Sequence, residues 1–181
     1  MSGFGDRLFG LLLRAGGCTK ICRPDGRQDG VKPEIYISDE TSPREKAAIA
    51  AALKCTVILP TEEYLGSAAM RTISPKSVIT ADGGFNTEWF HAALKRLKTD
   101  CVLIFSTGSV GCGGAVVLSL MSGAEIVPLY SRPRYRLIRQ RRITVGAPIA
   151  PGGDYDLSAE WVNSEIKRVD TAMSAIRGAQ L

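Results

Sequence analysis

Histidine is the scarcest chemically useful residue in this sequence, because His91 is the only one among 181 residues. General-base catalysis, nucleophile activation and many metal sites depend on imidazole, so this scarcity weighs against a triad enzyme. His91 stands between Phe90 and two alanines in a segment with helical periodicity. We therefore interpret it as an ordinary helix residue.

Cysteines are few and odd in number, and no export signal accompanies them. The five are Cys18, Cys22, Cys55, Cys101 and Cys112. We expect reduced thiols in an intracellular protein, because a disulfide framework needs pairs and an oxidising compartment. Cys18 and Cys22 are close enough in sequence to contact one metal ion, but no second cysteine pair or histidine group completes four ligands. The sequence therefore predicts no metal and no cofactor.

Long apolar runs are missing as well. The longest candidate, Phe9-Gly-Leu-Leu-Leu13, is followed by Arg14 and is too short to cross a bilayer. With Asp6 and Arg7 it predicts a short amphipathic helix, which either packs on the core or lies on a membrane surface. We expect a cytoplasmic protein, with peripheral contact at the inner face of the membrane as an open alternative.

The positive charge of the chain is concentrated in one segment. Six arginines occur within eleven residues that contain no acid: Arg132, Arg134, Arg136, Arg139, Arg141 and Arg142. Removing those six from the 23 Lys and Arg residues leaves 17 against 18 acidic residues, so the net charge of +5 comes from this segment. Two interpretations stay open: a solvated hairpin with outward arginines, or a surface for phosphate groups or an acidic partner.

Strand-like apolar runs alternate with helical stretches along most of the chain. The runs cover 34–38, 55–59, 76–80, 101–105, 125–130 and 142–146. This alternation predicts a single α/β domain with a mostly parallel, mixed β-sheet flanked by helices. We divide the chain into an N-terminal amphipathic helix and loop at 1–33, a core at 34–151 and a C-terminal helix that packs on the core at 152–181.

Three local patterns refine this picture. Ser42 as N-cap, Pro43 at the first position and Glu45 at the third predict a capping box at a helix start. The glycine-rich turn at 106–114 is a candidate anion site, with its helix predicted over 115–121, although it lacks the Lys-Ser/Thr of a nucleotide loop. Ser158 is a predicted cap of the last helix.

The order of segments carries a resemblance to a known family. The segments that carry it follow one another in this order: Asp82-Gly-Gly, a helix ending in Leu94-Lys-Arg-Leu-Lys98, Val102-Leu-Ile-Phe105, Gly113-Gly-Ala115, Gly123-Ala-Glu-Ile-Val-Pro128 and Ile143-Thr-Val-Gly-Ala-Pro-Ile149. From about 34 to 151 the chain resembles the glycerophospholipid acyltransferases of the lysophosphatidic-acid type. The resemblance implies their fold and transfer of an acyl group from acyl-ACP or acyl-CoA to a glycerolipid hydroxyl.

The reactive motifs of that family are altered here. Its NHxSxxD run corresponds to 39–45, which puts Glu40 at the histidine position and Glu45 at the aspartate position. Its FPEGTRS loop corresponds to 105–111, so the phosphate loop is reduced to Ser106, Thr107, Gly108 and Ser109, with Val110 in place of the arginine. A further basic position of the family falls on Ala81.

These departures lead to the expectation of a catalytically inactive member, a pseudo-acyltransferase. We expect it to bind an acyl carrier protein, an anionic lipid, or an active acyltransferase or lipid-synthesis enzyme, with the arginine segment as the contact. One alternative is a diverged active acyltransferase that uses Glu40 as its base. A second is a nucleic-acid-binding domain, which the sequence disfavours because Tyr135 is the only aromatic among the arginines and no nucleic-acid motif is present.

Overall fold

A seven-stranded sheet forms the centre of the computed structural model, which describes residues 19–23, 33–82, 87–106, 111–134, 140–152 and 158–179. The strand order is β1-β7-β6-β2-β5-β3-β4. Neighbouring strands are parallel except for the antiparallel pair β6 and β7. The strands are β1 (Thr19–Cys22), β2 (Glu34–Ser38), β3 (Thr56–Leu59), β4 (Val78–Thr80), β5 (Val102–Phe105), β6 (Glu125–Arg134) and β7 (Gln140–Val145).

Helices cover both faces of this sheet. The helices are α1 (Pro43–Leu53), α2 (Thr61–Gly66), α3 (Thr87–Arg96), α4 (Gly111–Ser122) and α5 (Ala159–Gly178), with 3-10 turns at Met70–Thr72 and Pro75–Ser77. Side chains alternate along β2, so Ile35 and Ile37 pack with α3, α4 and α5, whereas Tyr36 packs with α1. The predicted fold class, a single α/β domain with a mostly parallel mixed sheet, is confirmed.

The central strands are apolar because both of their faces are covered. All four residues of β5 are buried, as are all five residues of β2. Such continuous runs are typical of parallel strands between two helical layers. This burial fixes the positions at which the two strands end, and therefore where the residues that follow them emerge.

The C-terminal helix packs on the sheet through an apolar stripe. The Oγ of Ser158 accepts a hydrogen bond from the Trp161 N–H at 3.3 Å, which confirms the cap, and Val169 and Met173 are buried. Near its end, α5 passes so close to Gly146 that any Cβ there would collide with Ile176. Gly146 therefore allows the end of α5 to approach the sheet.

Three features differ from the sequence-based expectation. β1 lies inside the 1–33 segment that we assigned to a helix and a loop, and the predicted helix around Leu11 lies outside the described residues. α4 begins at Gly111 rather than Ala115, so Gly111, Gly113 and Gly114 belong to the helix, and Gly111 at its start has a φ of +56°. β6 runs to Arg134 rather than Tyr130, since β7 pairs with its second half.

Among the described residues, none of the helices combines the length and the apolar character that crossing a membrane requires.

Candidate functional site

Four neighbouring parallel strands, β2, β5, β3 and β4, have their carboxyl ends at one edge of the sheet. We call this the carboxyl edge and the opposite one the amino edge. Ligand sites of open α/β sheets form outside the carboxyl ends of the strands. The segments that emerge here are 39–45 after β2 and the loop that begins at Ser106 after β5. Both altered motifs of the sequence therefore start at the same edge.

Glu40, at the histidine position of the resemblance, binds the backbone of the turn that leads into α1. Its Oε1 accepts hydrogen bonds from the backbone N–H groups of Thr41 at 2.9 Å and Ser42 at 3.0 Å. The Glu40 N–H itself donates to Oγ of the buried Ser38 at 3.3 Å. One carboxylate oxygen of Glu40 therefore binds the two amides that directly precede α1.

Glu45, at the aspartate position, forms a bidentate ion pair with Arg141 of β7. Nε and Nη2 of Arg141 donate to the two carboxylate oxygens, and the side chains of Arg141 and Glu45 are 14% and 20% exposed. The predicted capping box is therefore wrong in its contacts. Ser42 is the N-cap residue, but its hydroxyl makes no cap hydrogen bond within the described residues. The ion pair gives Glu45 two charge-assisted hydrogen bonds in place of the single one that a capping box would provide.

Two further ion pairs hold the carboxyl edge. Asp39 pairs with Arg177 near the end of α5. Nζ of Lys46 lies 2.6 Å from Oε1 of Glu63 and 4.9 Å from the centre of the Phe105 ring, and Lys46 is 4% exposed. These contacts tie α1 to α2, and the segment between β2 and α1 to α5. The cations that flank the altered motif are thus bound to acids of the same chain.

The phosphate-loop segment is described only at its ends. Ser106 donates its N–H to the Ser38 carbonyl at 2.8 Å, which fixes the loop to the end of β2. Thr107, Gly108 and Ser109 lie outside the described residues. Ala81, where the family carries a basic residue, is fully buried.

Cys112 lies in the first turn of α4, directly after this loop. Its Sγ donates to Oδ1 of Asp170 at 3.3 Å. Burial raises the pKa of the Cys112 thiol to about 12, and the hydrogen bond to Asp170 adds to this rise. Cys112 is therefore a neutral thiol at physiological pH, which disfavours a role as a nucleophile.

The arginine segment forms a two-stranded arm. β6 continues from Tyr130 to Arg134 beyond Leu129, where its pairing with β2 ends, and β7 runs back along it. We call residues 130–134 and 140–144 the basic arm. The side chains of Arg132, Arg141 and Arg142 are described there, and Arg132 is exposed while the other two are half-buried. Arg136, Arg139 and the side chain of Arg134 lie outside the described residues.

His91 is exposed on α3 and lies beside Phe90. It lines an open groove of about 560 Å³ together with Lys98 and Met121, which stand at the C-terminal ends of α3 and α4. Helices that follow parallel strands run back toward the amino edge, so this groove lies away from the altered motifs. The structure therefore does not bring His91 to the carboxyl edge.

Within the described ranges, no group of three or more His, Cys, Asp or Glu side chains has an arrangement that could hold a metal ion. Cys22 is half-buried at the end of β1, and Cys18 lies outside those ranges.

Sequence reasoning missed the partners of the acids at the carboxyl edge. Arg141 stands 96 positions from Glu45 along the chain, and Arg177 stands more than a hundred positions from Asp39. No local sequence pattern connects residues that are so far apart. The one sequence signal for the Glu45–Arg141 pair is the absence of acids within the arginine segment, because an ion pair of these arginines then needs an acid from another part of the chain.

Comparison with known proteins supports the fold and nothing finer. No family model matches the chain, and no curated protein matches it by sequence. Its structure is similar to the crystal structure of the 1-acyl-sn-glycerophosphate (LPA) acyltransferase PlsC from Thermotoga maritima. The TM-score is 0.60 and the sequence identity is 12%, over 98% of this chain and 77% of the other. The chain thus has the fold of a lipid acyltransferase.

Proposed function

We propose that this chain is a catalytically inactive protein with a lipid-acyltransferase fold, a pseudo-acyltransferase. The fold itself links it to lipid acyltransferases. The observation that carries the inactive state is the engagement of the two acids at the reactive positions. Backbone amides occupy Oε1 of Glu40, and Arg141 occupies both oxygens of Glu45.

The physical argument concerns the base. Acyl transfer to a hydroxyl needs a group that accepts the hydroxyl proton within hydrogen-bond reach, and the loss of such a base lowers the rate by about 10²–10⁴-fold. Oε1 of Glu40 already accepts two N–H donors, which leaves that oxygen less available to a hydroxyl proton. Glu45 is bound to a guanidinium and is therefore not placed to orient a base at position 40.

The partner in this proposal is acidic: an acyl carrier protein, an anionic lipid, or an active lipid-synthesis enzyme with an acidic surface. The support is the basic arm, which stands at the end of the parallel sheet beside the altered motif and contains four of the six clustered arginines. The protein would work in the cytoplasm, with peripheral contact at the inner face of the membrane.

An acyl-transfer assay tests the inactive state. Acyl-CoA and acyl-ACP are offered as donors with lysophosphatidic acid as acceptor, and an active lysophosphatidic-acid acyltransferase serves as the positive control. We expect product formation at the uncatalysed rate for the wild type and for Glu40→Gln alike. Turnover by the wild type that disappears in Glu40→Gln would overturn the proposal in favour of a diverged acyltransferase with Glu40 as base.

A further inference from the structure

Two free cysteines stand side by side at the amino edge of the sheet. Cys55 directly precedes β3 and Cys101 directly precedes β5, and these two strands are parallel neighbours. The first register pair of the two strands is Thr56 with Val102, and the Thr56 N–H donates to the Cys101 carbonyl at 3.0 Å. The ladder therefore continues to the two cysteines, which form the next register pair toward the amino edge.

Both thiols point to the same face of the sheet. Side chains alternate along a strand, so Cys55 shares its face with Val57, and Cys101 shares its face with Leu103. All four side chains pack in one apolar cluster on the α1 side of the sheet. Register neighbours on adjacent strands have Cα atoms about 4.8 Å apart, and a disulfide spans Cα separations of about 4.4 to 6.8 Å. The backbone thus has a spacing that a disulfide can bridge.

The two thiols differ in how far solvent reaches them. Cys55 is 3% exposed, whereas Cys101 is half-buried. Burial raises the pKa of both thiols above the ordinary value, and the neighbouring Cys101 adds to the rise at Cys55. Both groups are therefore protonated in the resting protein and react slowly. A small oxidant from solution meets Cys101 first, and Cys55 then reacts with the product that forms there.

We propose that Cys55 and Cys101 are a redox-sensitive pair, which hydrogen peroxide converts to a disulfide between the starts of β3 and β5. The Cys101 sulfur attacks one peroxide oxygen and the O–O bond breaks, which gives a sulfenic acid and a hydroxide that takes up the thiol proton. The Cys55 sulfur then attacks the Cys101 sulfur, the S–O bond breaks, and the hydroxide leaves as water with the Cys55 proton. Two thiols and one peroxide molecule thus give one disulfide and two water molecules.

The surroundings favour the disulfide over further oxidation of Cys101. Cys55 is held beside the sulfenic acid, so its attack is intramolecular, whereas a second peroxide molecule has to arrive from solution. A disulfide is uncharged, but a sulfinate would place an anion beside the apolar cluster, which is unfavourable without partners. The inference goes beyond the proposed function, because it requires neither a bound lipid nor a partner protein.

Peptide mapping of the full chain tests the pair. The reduced protein is treated with hydrogen peroxide, freed of peroxide with catalase, denatured in iodoacetamide and digested without reduction for mass spectrometry. We expect the Cys55 and Cys101 peptides to be joined, with a mass two hydrogen atoms below their sum. A Cys55 that still reacts with iodoacetamide after the treatment would overturn the proposal. A link that forms only when the chain is unfolded before the treatment would overturn it as well.

Two variants locate the reaction. Cys101→Ser removes the thiol that meets peroxide, so we expect the buried Cys55 to stay free and to react with iodoacetamide. Cys22→Ser is the matched control and should keep the link, because Cys22 is also half-buried but four strands separate β1 from β3. Loss of the link in Cys22→Ser, or a wild-type Cys55 joined to a different cysteine, would refute the assignment. Circular dichroism checks the fold of each variant, and the wild-type peptide map stands without either of them.

Thermal unfolding provides a second readout. The disulfide restrains the unfolded chain between β3 and β5, so oxidation should raise the midpoint by about 5 °C or more. Peroxide also oxidises exposed methionines such as Met121, and dithiothreitol does not reduce methionine sulfoxide. The part of the shift that dithiothreitol reverses therefore measures the disulfide, and Cys101→Ser should lack it. The same reversible shift in both proteins, or none in either, would contradict a link through Cys101.

Discussion

The carboxyl edge and the amino edge of the sheet each contain a Glu–Arg ion pair, and the two pairs differ in how deeply they are buried. At the carboxyl edge, Glu45 and Arg141 form their ion pair with part of each side chain in contact with water. At the amino edge, Glu34, Tyr36 and Arg23 form a buried group: the Tyr36 hydroxyl donates to Glu34 at 2.6 Å and accepts from Arg23 at 2.8 Å.

Burial makes the amino-edge group structural. The side chains of Arg23 and Glu34 are each 9% exposed, and their charged atoms lie 3.9 Å apart. Burial, followed by the hydrogen bond to Glu34, raises the pKa of the Tyr36 hydroxyl above its ordinary value, so the hydroxyl keeps its proton. The comparison teaches that the buried polar group at the amino edge holds the fold, whereas the more exposed Glu45–Arg141 pair at the carboxyl edge can be exchanged with a smaller effect on stability.

The largest effect is expected from Glu34→Ala. The substitution leaves the Arg23 guanidinium and the Tyr36 hydroxyl buried without their acceptor, and removal of one partner of a buried pair destabilises by about 3 kcal/mol or more. Urea denaturation measures the change. Glu62→Ala on α2 is the matched control, since Glu62 is exposed and its loss should change stability by about 0.5 kcal/mol or less. Equal effects of the two substitutions would remove the distinction between the edges.

An intermediate effect is expected at the carboxyl edge. A double-mutant cycle with Glu45→Gln and Arg141→Gln should give a coupling energy of about 1 to 2 kcal/mol, because the pair is bidentate and mostly shielded from solvent. Thermal or urea unfolding of the four proteins supplies the cycle. A coupling energy near zero would mean that the pair acts as an ordinary surface ion pair.

The smallest effect is expected for Thr61 and Asp82, also at the carboxyl edge. Hydrogen bonds from the hydroxyl and the backbone N–H of Thr61 hold the pKa of the Asp82 carboxyl below its ordinary value. Since the pKa is lowered in the folded state, the stabilisation is present above the unfolded pKa and is lost as the pH falls through the folded one. Thr61→Val removes the hydroxyl donor, so the pKa of Asp82 should rise toward its ordinary value in a carboxyl NMR titration. An unchanged pKa would contradict the role of the hydroxyl.

The sequence predicted the fold because local patterns determine most of it. β5 follows directly from an uninterrupted apolar run, and the start of α1 follows from Pro43 after Ser42. β1 carries no such pattern: Thr19–Cys22 is a stretch of four residues with one large apolar side chain, Ile21, and it forms a strand by pairing with β7. Tertiary pairing rather than local propensity decides such an element.

The candidate site was harder to predict for a related reason. The positions of Glu40 and Glu45 could be assigned from the sequence, and their contacts could not. Glu45 binds Arg141 because the fold brings α1 against β7, and only the three-dimensional arrangement contains that information. The same holds for Arg142, which the alternation of side chains along β7 places on the opposite face from Arg141.

The outer strand β1 has a consequence for the order of folding. Its partners on β7 stand more than a hundred residues away in sequence, from Thr19 with Arg141 to Cys22 with Thr144. Closing so long a loop is slow and entropically unfavourable, and it requires that β7 has already paired with β6. β1 should therefore join the sheet late, so a nascent chain would present an unpaired β7 edge until its N-terminal strand returns. During that interval the unpaired edge of β7 can pair with a strand from another molecule.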